Sequence, residues 1–347
     1  MKTLLFLNDQ EGSQTGIEDG FTYLQSNGMI DSLKWFYYND FSGKTSSNQC
    51  ILKMIEIASE FLPELIVFFH ISNFPVKDRF ILILKNLSSK PIIVYDEGDM
   101  YGGWSKPVTA SMKVMFRLSD IVSIRGLGHW YETVKMYNNN VIYTPHSNSL
   151  LRWTRNIVPV EFKCDKLVFI GNRVRSRLGN LRRLPGARGR EDFVKNICKY
   201  FPKEFKLYGQ GWTGFPGDQG RIGFREQADV CVKSILQVSY EHYPNIPYYF
   251  SDRLPIALAS GQIYVCHYHQ GYENIFKGCD FIYFFNSTKE AIDIIKYILS
   301  LDSSALYQKS VHAKIFADSM LSPEIIWPNL LKNIYSVKEV YTISTGK

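Results

Sequence analysis

The sequence has few cysteines and no long apolar run. Its six cysteines, among 347 residues, lie far apart and form no C-x-x-C pair, which argues against a zinc knuckle and against a disulfide framework. No stretch reaches the roughly 18 apolar residues that a membrane-spanning helix needs. The apolar run at 3–7 is too short for a signal peptide and is typical of a first buried strand. These absences predict a cytoplasmic protein in reducing surroundings.

Metal and dinucleotide motifs are missing as well. There is no D-x-D motif, and the nearest approach to one is 97–99, Glu-Gly-Asp. His267 and His269 lie on one face of a predicted strand without a clear third ligand, so we expect no metal site. The stretch 126–131 lacks the third glycine of a dinucleotide fingerprint, which argues against a dehydrogenase.

Chain length and charge give the first positive indications. A chain of 347 residues exceeds the usual size of one hydrophobic core, which predicts two domains, 1–150 and 160–323, followed by a terminal helix and tail at 324–347. Lysine and arginine outnumber the acidic residues by 40 to 33, and this surplus attracts anionic ligands such as nucleotides.

Short apolar runs alternate with helical patterns in both halves. The predicted strands are 3–7, 65–69, 91–95, 121–124 and 141–143, then 166–170, 205–208, 234–239, 263–266 and 281–284. Strands separated by helices form right-handed crossovers in a parallel sheet, whose ligand loops follow the carboxyl ends of the strands. The fold class predicted is therefore α/β, with two Rossmann-like domains facing a cleft.

One loop in the second half has the composition of an anion site. Ser251, Asp252 and Arg253 open a short helix that stops at Gly261, and the next strand leads to a glycine turn at Gly271. Backbone N–H groups at a helix start and an adjacent guanidinium together suit a diphosphate. A glycine-terminated helix before a buried strand is also a common α/β joint, so both interpretations stay open.

Several blocks in this region occur in a familiar order. They are S-D-R at 251–253, A-L-A-S-G at 257–261, G-Y-E-N-I-F at 271–276, and a helical segment from Ser287 and Glu290 onward. Over about residues 160–330 the sequence resembles group-1-type glycosyltransferases, especially the CgeB-like branch. The resemblance implies the GT-B fold, a nucleotide diphosphate sugar as substrate rather than a cofactor, and a glycan or lipid-linked acceptor in surface polysaccharide or glycoconjugate synthesis.

The resemblance also implies a set of donor-binding residues. Gly171 allows close backbone approach, Arg173 neutralises a phosphate, and the turn from Gly209 to Trp212 holds the base by stacking. The structural alternative for these turns is an ordinary surface loop. The full expected set is Arg253, Ser251, Arg173, Gly171, Gly209, Trp212, Glu241, Gly271, Tyr272 and Glu273.

The sequence departs from the family at one acidic motif. Retaining members often carry Glu-x7-Glu, whose second glutamate holds the donor ribose, but the corresponding places hold Tyr248 and Ile256. If a carboxylate contacts the ribose, it must come from elsewhere, and Glu273 and Glu241 are the candidates. The stereochemical outcome, retaining or inverting, stays open.

The first half is expected to supply the acceptor site and a catalytic base. Such a base takes the proton of the acceptor hydroxyl during attack on the sugar carbon. Asp96, Asp9 and His146 are the candidates, with His70 beside them, because all follow predicted strands. Each alone is also typical of a cap or turn residue.

An arginine-rich stretch runs from 173 to 190 without an acidic residue. It contains Arg173, Arg175, Arg177, Arg182, Arg183, Arg188 and Arg190. Such a block usually forms a solvated loop. The functional alternatives are peripheral docking to anionic lipid at the inner face of the membrane, or a phosphorylated glycan acceptor. No nucleic-acid-binding motif is present.

Two other functions are compatible with the same donor site. A GT-B-fold epimerase acting on a nucleotide diphosphate sugar would use water in place of an acceptor. A catalytically degenerate glycan-binding protein would explain the missing glutamates.

Overall fold

The computed structural model describes residues 1–8, 15–71, 74–147, 157–174, 183–223 and 226–345. The chain forms two compact units, which we call unit 1 (Met1–Ser149 with Pro323–Lys347) and unit 2 (Leu150–Ser322). Unit 1 is therefore discontinuous in sequence, because the last segment of the chain returns to it.

Unit 1 contains a six-stranded sheet in the order β2-β1-β3-β4-β5-β6, with every described pairing parallel. The strands are β1 Lys2–Leu7, β2 Ser32–Tyr37, β3 Leu65–Phe69, β4 Ile92–Glu97, β5 Ile121–Ile124 and β6 Val141–Tyr143. All five residues of β3 are apolar and buried, as expected for a parallel strand covered on both faces. The strand order changes direction between β1 and β3, which makes this the topological switch point of the sheet. The ligand edge therefore lies at the carboxyl ends of these two strands.

The helices of unit 1 connect these strands and begin and end at recognisable signals. They are α1 Thr15–Ser26, α2 Tyr38–Lys44, α3 Ser47–Phe61, α4 Asp78–Lys85, α5 Ala110–Leu118 and α6 His129–Lys135. At the start of α3, Ser46 and Gln49 form a capping box in which each side chain accepts the other's backbone N–H. Thr109 caps α5 by accepting the N–H of Met112 at 3.2 Å.

Unit 2 contains a five-stranded parallel sheet in the order β11-β10-β9-β7-β8. The strands are β7 Asp165–Ile170, β8 Phe205–Tyr208, β9 Ser234–Ser239, β10 Ile263–His267 and β11 Ile282–Phe285. The helices are α7 Ala187–Tyr200, α8 Gln227–Val232, α9 Arg253–Ala259, α10 Tyr272–Ile275, α11 Thr288–Ser300 and α12 Ser303–Phe316. The strand order changes direction between β7 and β9, so the ligand edge of unit 2 lies at the carboxyl ends of these two strands.

The last helix, α13 (Pro323–Thr345), packs against α1 of unit 1. Its Trp327 is 2% exposed and donates its indole N–H to the carbonyl of Gly16 at 2.7 Å. Gly20 of α1 makes room for the ring, because a Cβ at that position would lie 1.8 Å from Cδ1 of Trp327. A single large side chain thus fixes the end of the chain onto its beginning. Among the described residues, no helix is both long and apolar enough to cross a bilayer.

Candidate functional site

Glu241 is the centre of a buried polar cluster at the ligand edge of unit 2. It follows β9 and is 5% exposed. One carboxylate oxygen, Oε1, accepts the hydroxyl of Ser251 at 2.8 Å, and the other, Oε2, accepts Nη2 of Arg253 at 3.0 Å. Nη2 of Arg190 lies 3.6 Å from the same Oε2. Three elements, β9, α9 and α7, therefore converge on one carboxylate.

Arg190 links the two strand ends that flank the switch point. Its side chain is 2% exposed. Nε donates to the carbonyl of Tyr240 at 2.6 Å, just after β9, and Nη1 donates to the carbonyl of Asn172 at 3.1 Å, just after β7. Nη1 also lies 2.8 Å from Nε2 of His242. The Arg190 guanidinium thus holds both ligand loops in place.

The charges of this cluster are set by its neighbours. Burial alone would raise the pKa of Glu241, but the guanidinium groups of Arg253 and Arg190 lower it to about 2, so the carboxylate is charged. Burial and the same two cations lower the pKa of His242 to about 3, so His242 is neutral and accepts from Arg190. Two guanidinium groups share one carboxylate here, which leaves the trio with net positive charge.

A pocket of about 260 Å³ opens beside this cluster at the end of β7. Gly171, Gly209 and Arg253 line it, so the structure brings together three of the predicted donor-binding residues. The other polar residues of the pocket, apart from Asp252, were not among the expected donor-binding residues. They are Asn172, Gln210, Arg221 and Gln227. Their amide and guanidinium groups would be recognisable only once the loops after β7 and β8 were known to meet.

The pocket wall needs glycine because two backbone segments approach each other closely there and leave no room for a Cβ. Gly209 has φ +138°, and a Cβ at that position would lie 2.3 Å from the carbonyl oxygen of Gly171. The same carbonyl accepts the indole N–H of Trp212 at 2.6 Å. Trp212 is fully buried against Phe169 and Phe215, so its ring supports the pocket wall and is not positioned to stack on a base.

The arginine-rich stretch differs in part from the solvated loop that was expected. Arg190 is buried, because Glu241 and two carbonyl groups satisfy it. Arg173 makes a bidentate contact with Glu191, at 3.1 and 2.7 Å, and does not line the pocket. Arg188 and Arg183 are exposed. Arg175, Arg177 and Arg182 lie outside the described residues.

The glycine turn at Gly271 is organised by local contacts. Gly271 has φ +96°, and a Cβ there would lie 2.5 Å from the ring of Tyr248. Glu273 accepts the N–H of Gly271 at 3.0 Å and the hydroxyl of Tyr268 at 2.8 Å. Tyr272 is 1% exposed and donates its hydroxyl to the carbonyl of Tyr249 at 2.7 Å. These contacts favour a structural role for the turn.

The two glutamates considered for ribose binding are both occupied elsewhere. Glu241 is held by Ser251 and two arginines, and Glu273 holds the Gly271 turn. The carboxylate that does line the pocket is Asp252. It stands one residue before Arg253. Burial lowers the pKa of the Arg253 guanidinium, but Glu241 and, more weakly, Asp252 raise it, and the net effect is a raised pKa.

At the ligand edge of unit 1, His70 pairs with Glu97. His70 follows β3 with φ +51°, and its Nδ1 lies 2.9 Å from Oε1 of Glu97, which is fully buried at the end of β4. Glu97 also accepts the hydroxyl of Tyr95 at 2.5 Å. Burial would lower the pKa of His70, but Glu97 and Asp99 raise it to about 9, so the imidazole is protonated at neutral pH.

His146 also lies close to Gly98. A Cβ on Gly98 would lie 2.4 Å from Cε1 of His70 and 3.5 Å from Cε1 of His146, so the glycine leaves room for both rings beside this turn. Within the described parts of the chain, no three His, Cys, Asp or Glu side chains are arranged to hold a metal ion.

Asp96, the first candidate for the base, forms a buried ion pair. It is 1% exposed, and Arg125 donates to both of its oxygens, at 2.9 and 2.5 Å. Ser123 donates a further hydrogen bond at 2.7 Å. A carboxylate held in this way is not accessible to an acceptor, and the contacts favour a supporting role. Asp9 lies outside the described residues.

No protein-family model matches the sequence, and no curated protein sequence matches it either. Several solved structures are similar to this chain in fold. The chain is similar to HepE of Anabaena in complex with UDP and glucose (TM-score 0.60, 10% identity, 97% of this chain and 100% of that one). It is similar to sucrose-phosphate synthase of Thermosynechococcus elongatus (TM-score 0.61, 9% identity, 99% and 100%). It is also similar to an alpha-glucosyltransferase in complex with UDP and DNA (TM-score 0.66, 12% identity, 96% and 100%). The likeness confirms the predicted fold class: the chain consists of two Rossmann-like domains, as in the GT-B glycosyltransferases.

Proposed function

We propose that this protein is a glycosyltransferase that uses a nucleotide diphosphate sugar, and that the diphosphate binds in the pocket of unit 2. One observation carries the proposal. Arg253 lines a pocket at the topological switch point of a parallel sheet, and a buried carboxylate, Glu241, holds its guanidinium in place. The similar structures with bound UDP support the same assignment.

The geometry supports a mechanism in which positive charge is fixed before reaction. Glu241 accepts a hydrogen bond from Arg253 and orients its guanidinium. Arg190 adds a second cation, 3.6 Å from the same carboxylate oxygen. When the bond between sugar and diphosphate breaks, negative charge grows on the departing phosphate. A preorganised cation stabilises that charge without reorganising, which is the main source of catalysis in sites of this kind. In this proposal the arginines, rather than a metal ion, assist the leaving group.

The remaining pocket residues suit the nucleoside. Asn172, Gln210 and Gln227 each offer an amide donor and an amide acceptor. Asp252 offers a carboxylate to the ribose hydroxyls, which would replace the missing second glutamate of the family motif. Because the HepE and alpha-glucosyltransferase structures hold UDP or UDP-glucose, we propose a uridine diphosphate sugar as donor.

Unit 1 is proposed to bind the acceptor, a glycan or lipid-linked glycan of a surface polysaccharide or glycoconjugate pathway in the cytoplasm. His70, held by Glu97, presents a protonated ring and suits hydrogen bonding to the acceptor. His146 beside it and Asp9 stay the candidates for the base that takes the hydroxyl proton. Assignment to the CgeB-like branch also stays a prediction.

Replacing Arg253 tests the donor site. A hydrogen bond to a charged group contributes about 1.5–3 kcal/mol, so Arg253→Ala should weaken UDP binding roughly 10- to 100-fold. Isothermal titration calorimetry with UDP measures the affinity, and Arg253→Lys should recover part of it by restoring the charge. Arg188→Ala, at an exposed position of the same unit, is the matched control and should bind UDP as wild type does.

Two results would count against the proposal. One is equal UDP affinity in Arg253→Ala and wild type, with a thermal unfolding curve showing that the variant is folded. The other is a wild-type protein that UDP, GDP, CMP and TDP all fail to stabilise in a thermal-shift assay.

A further inference from the structure

Arg221 is a cation of the unit 2 pocket that no carboxylate neutralises. The other arginine of the pocket, Arg253, is held by Glu241, and Asp252 stands beside it. Arg221 lines the same pocket while staying exposed, and among the residues that the structure describes it has no ion-pair or hydrogen-bond partner. A guanidinium carries only donors. The part of a ligand that reaches Arg221 must therefore offer an acceptor.

The backbone on both sides of Arg221 is fixed. The carbonyl of Gly220 accepts the N–H of Gly209 at 2.8 Å, which ties the residue before Arg221 to the end of β8. On the other side, Ile222 packs against a small apolar cluster that contains Ile170 at the end of β7. The side chain of Arg221 thus starts from a defined point of the pocket wall. Binding a ligand orders the side chain alone and not the loop, which keeps the entropic cost low.

Arg221 and Arg253 are anchored on opposite sides of β7. The sheet order places β7 between β9 and β8, and neighbouring strands lie about 4.8 Å apart, so β9 and β8 are separated by roughly 10 Å. Glu241 after β9 holds Arg253, whereas the loop of Arg221 is tied to the end of β8. The rest of the polar wall, Asn172 after β7 and Gln210 after β8, lies toward Arg221. The inference rests on the proposed function here: with the diphosphate at Arg253, the nucleoside extends across β7 and brings its nucleobase to Arg221.

Gln227 offers a group of the opposite polarity. It lines the same pocket, further along the segment that carries Arg221. Its Oε1 is buried, and within the described parts of the chain it accepts no hydrogen bond. A buried acceptor without a partner costs free energy, so a ligand that brings an N–H group to it is favoured.

A donor beside an acceptor matches one type of nucleobase edge. Uracil, thymine and guanine place a keto oxygen next to a ring N–H, whereas cytosine and adenine place an amino group next to a ring nitrogen that accepts. The amide of Gln227 can turn to present either Oε1 or Nε2, but the guanidinium of Arg221 has no acceptor to present. We propose that Arg221 selects the donor nucleotide by donating to the keto oxygen of its nucleobase, which admits uridine nucleotides and rejects those of cytidine and adenosine.

The test compares two nucleotides that differ only at this edge. UDP and CDP share the ribose and the diphosphate, but CDP has an amino group where UDP has the keto oxygen. Isothermal titration calorimetry measures both affinities. We expect the wild type to bind UDP roughly 10- to 100-fold more tightly than CDP, the discrimination that hydrogen bonds to a base edge typically provide. Arg221→Ala should bring this ratio close to 1, because UDP binding weakens while CDP binding stays the same.

Two further variants separate recognition of the nucleobase from simple charge. Arg221→Lys keeps a positive charge and N–H donors, so it should keep part of the preference for UDP. Arg221→Gln can present a donor or an acceptor, so its ratio should also be close to 1. Arg188→Ala is the matched control, since it removes an exposed positive charge of the same unit and should keep the wild-type ratio. Thermal unfolding checks that each variant is folded.

Three results would overturn the inference while leaving the proposed donor site in place. They are equal affinity of the wild type for UDP and CDP, a preference for UDP that survives in Arg221→Ala, and a loss of UDP and CDP affinity by the same factor in that variant. The last result would mean that Arg221 contacts the diphosphate. In each case Arg253→Ala would still weaken UDP binding. A wild type that binds neither nucleotide would overturn the inference and the proposed function together.

Discussion

Glu241→Gln tests whether the buried cluster of unit 2 stabilises the protein through charge. The side chain is nearly isosteric, so packing is conserved and the change removes one negative charge between Arg190 and Arg253. The folded-state pKa of Glu241 is about 2 against an ordinary 4.5. At about 1.36 kcal/mol per pKa unit this corresponds to roughly 3 kcal/mol of stability at neutral pH. Removing one partner of a buried ion pair typically costs about 3–5 kcal/mol, which agrees.

The assay is urea unfolding at pH 7, followed by calorimetry to identify the transition of unit 2. Glu161→Gln is the matched control, because Glu161 is an exposed glutamate of the same unit. Since folding lowers the pKa of Glu241, its contribution is fully present above about pH 4.5 and disappears as the pH falls through about 2. The difference between wild type and Glu241→Gln should therefore shrink in acid. A difference below about 1 kcal/mol at pH 7 would refute the reasoning, because it would mean that the two guanidinium groups do not need the carboxylate.

Two further predictions concern unit 1. Because the pKa of His70 is raised to about 9 by Glu97, that ion pair stabilises the fold fully below about pH 6.5 and is lost as the pH rises through about 9. Urea unfolding should show wild type losing up to about 3 kcal/mol between these pH values, and His70→Gln should lack most of this loss; parallel profiles would contradict it. Gly20→Ala should destabilise α1 by about 1–3 kcal/mol in thermal unfolding, because its methyl group would overlap Trp327. The control Gly43→Ala has open space and should gain about 0.5–1 kcal/mol; equal behaviour of the two variants would contradict the packing argument.

The parallel strands were readable from sequence because a buried parallel strand is apolar on both faces. β3, β5, β6, β8 and β9 lie at the predicted residues, and the bounds of the other predicted strands differ by one or two residues. β2 was not predicted. It is an edge strand in which Lys34 is exposed and the other five residues are half-buried, so it has neither the long apolar run of a buried strand nor a clear alternation.

The bounds of helix α7 were not predicted, and the reason is chemical. Its first turn carries Arg188 and Arg190, which give the segment the composition of a solvated loop. Arg190 is buried only because Glu241 and the carbonyl of Tyr240, some fifty residues later, meet it at the switch point. Composition within a window cannot show a partner that far along the chain.

Part of the predicted donor set meets at the pocket of unit 2. The strand-end rule brought Gly171, Gly209 and Arg253 to one pocket, because parallel strands share a carboxyl edge. The rule says nothing of which way a side chain points. Trp212 faces the core, and Asp96 finds Arg125 from the neighbouring strand end. The donor and catalytic roles of these residues stay predictions.

The return of α13 to unit 1 has a consequence for biosynthesis. During translation all residues of unit 2 are made before Trp327, so unit 2 has its whole sequence before unit 1 does. Until α13 has been synthesised, the apolar face of α1 in unit 1 stays uncovered. A nascent chain stopped just short of residue 323 would therefore be a natural substrate for chaperones, and its first half would be the part they hold.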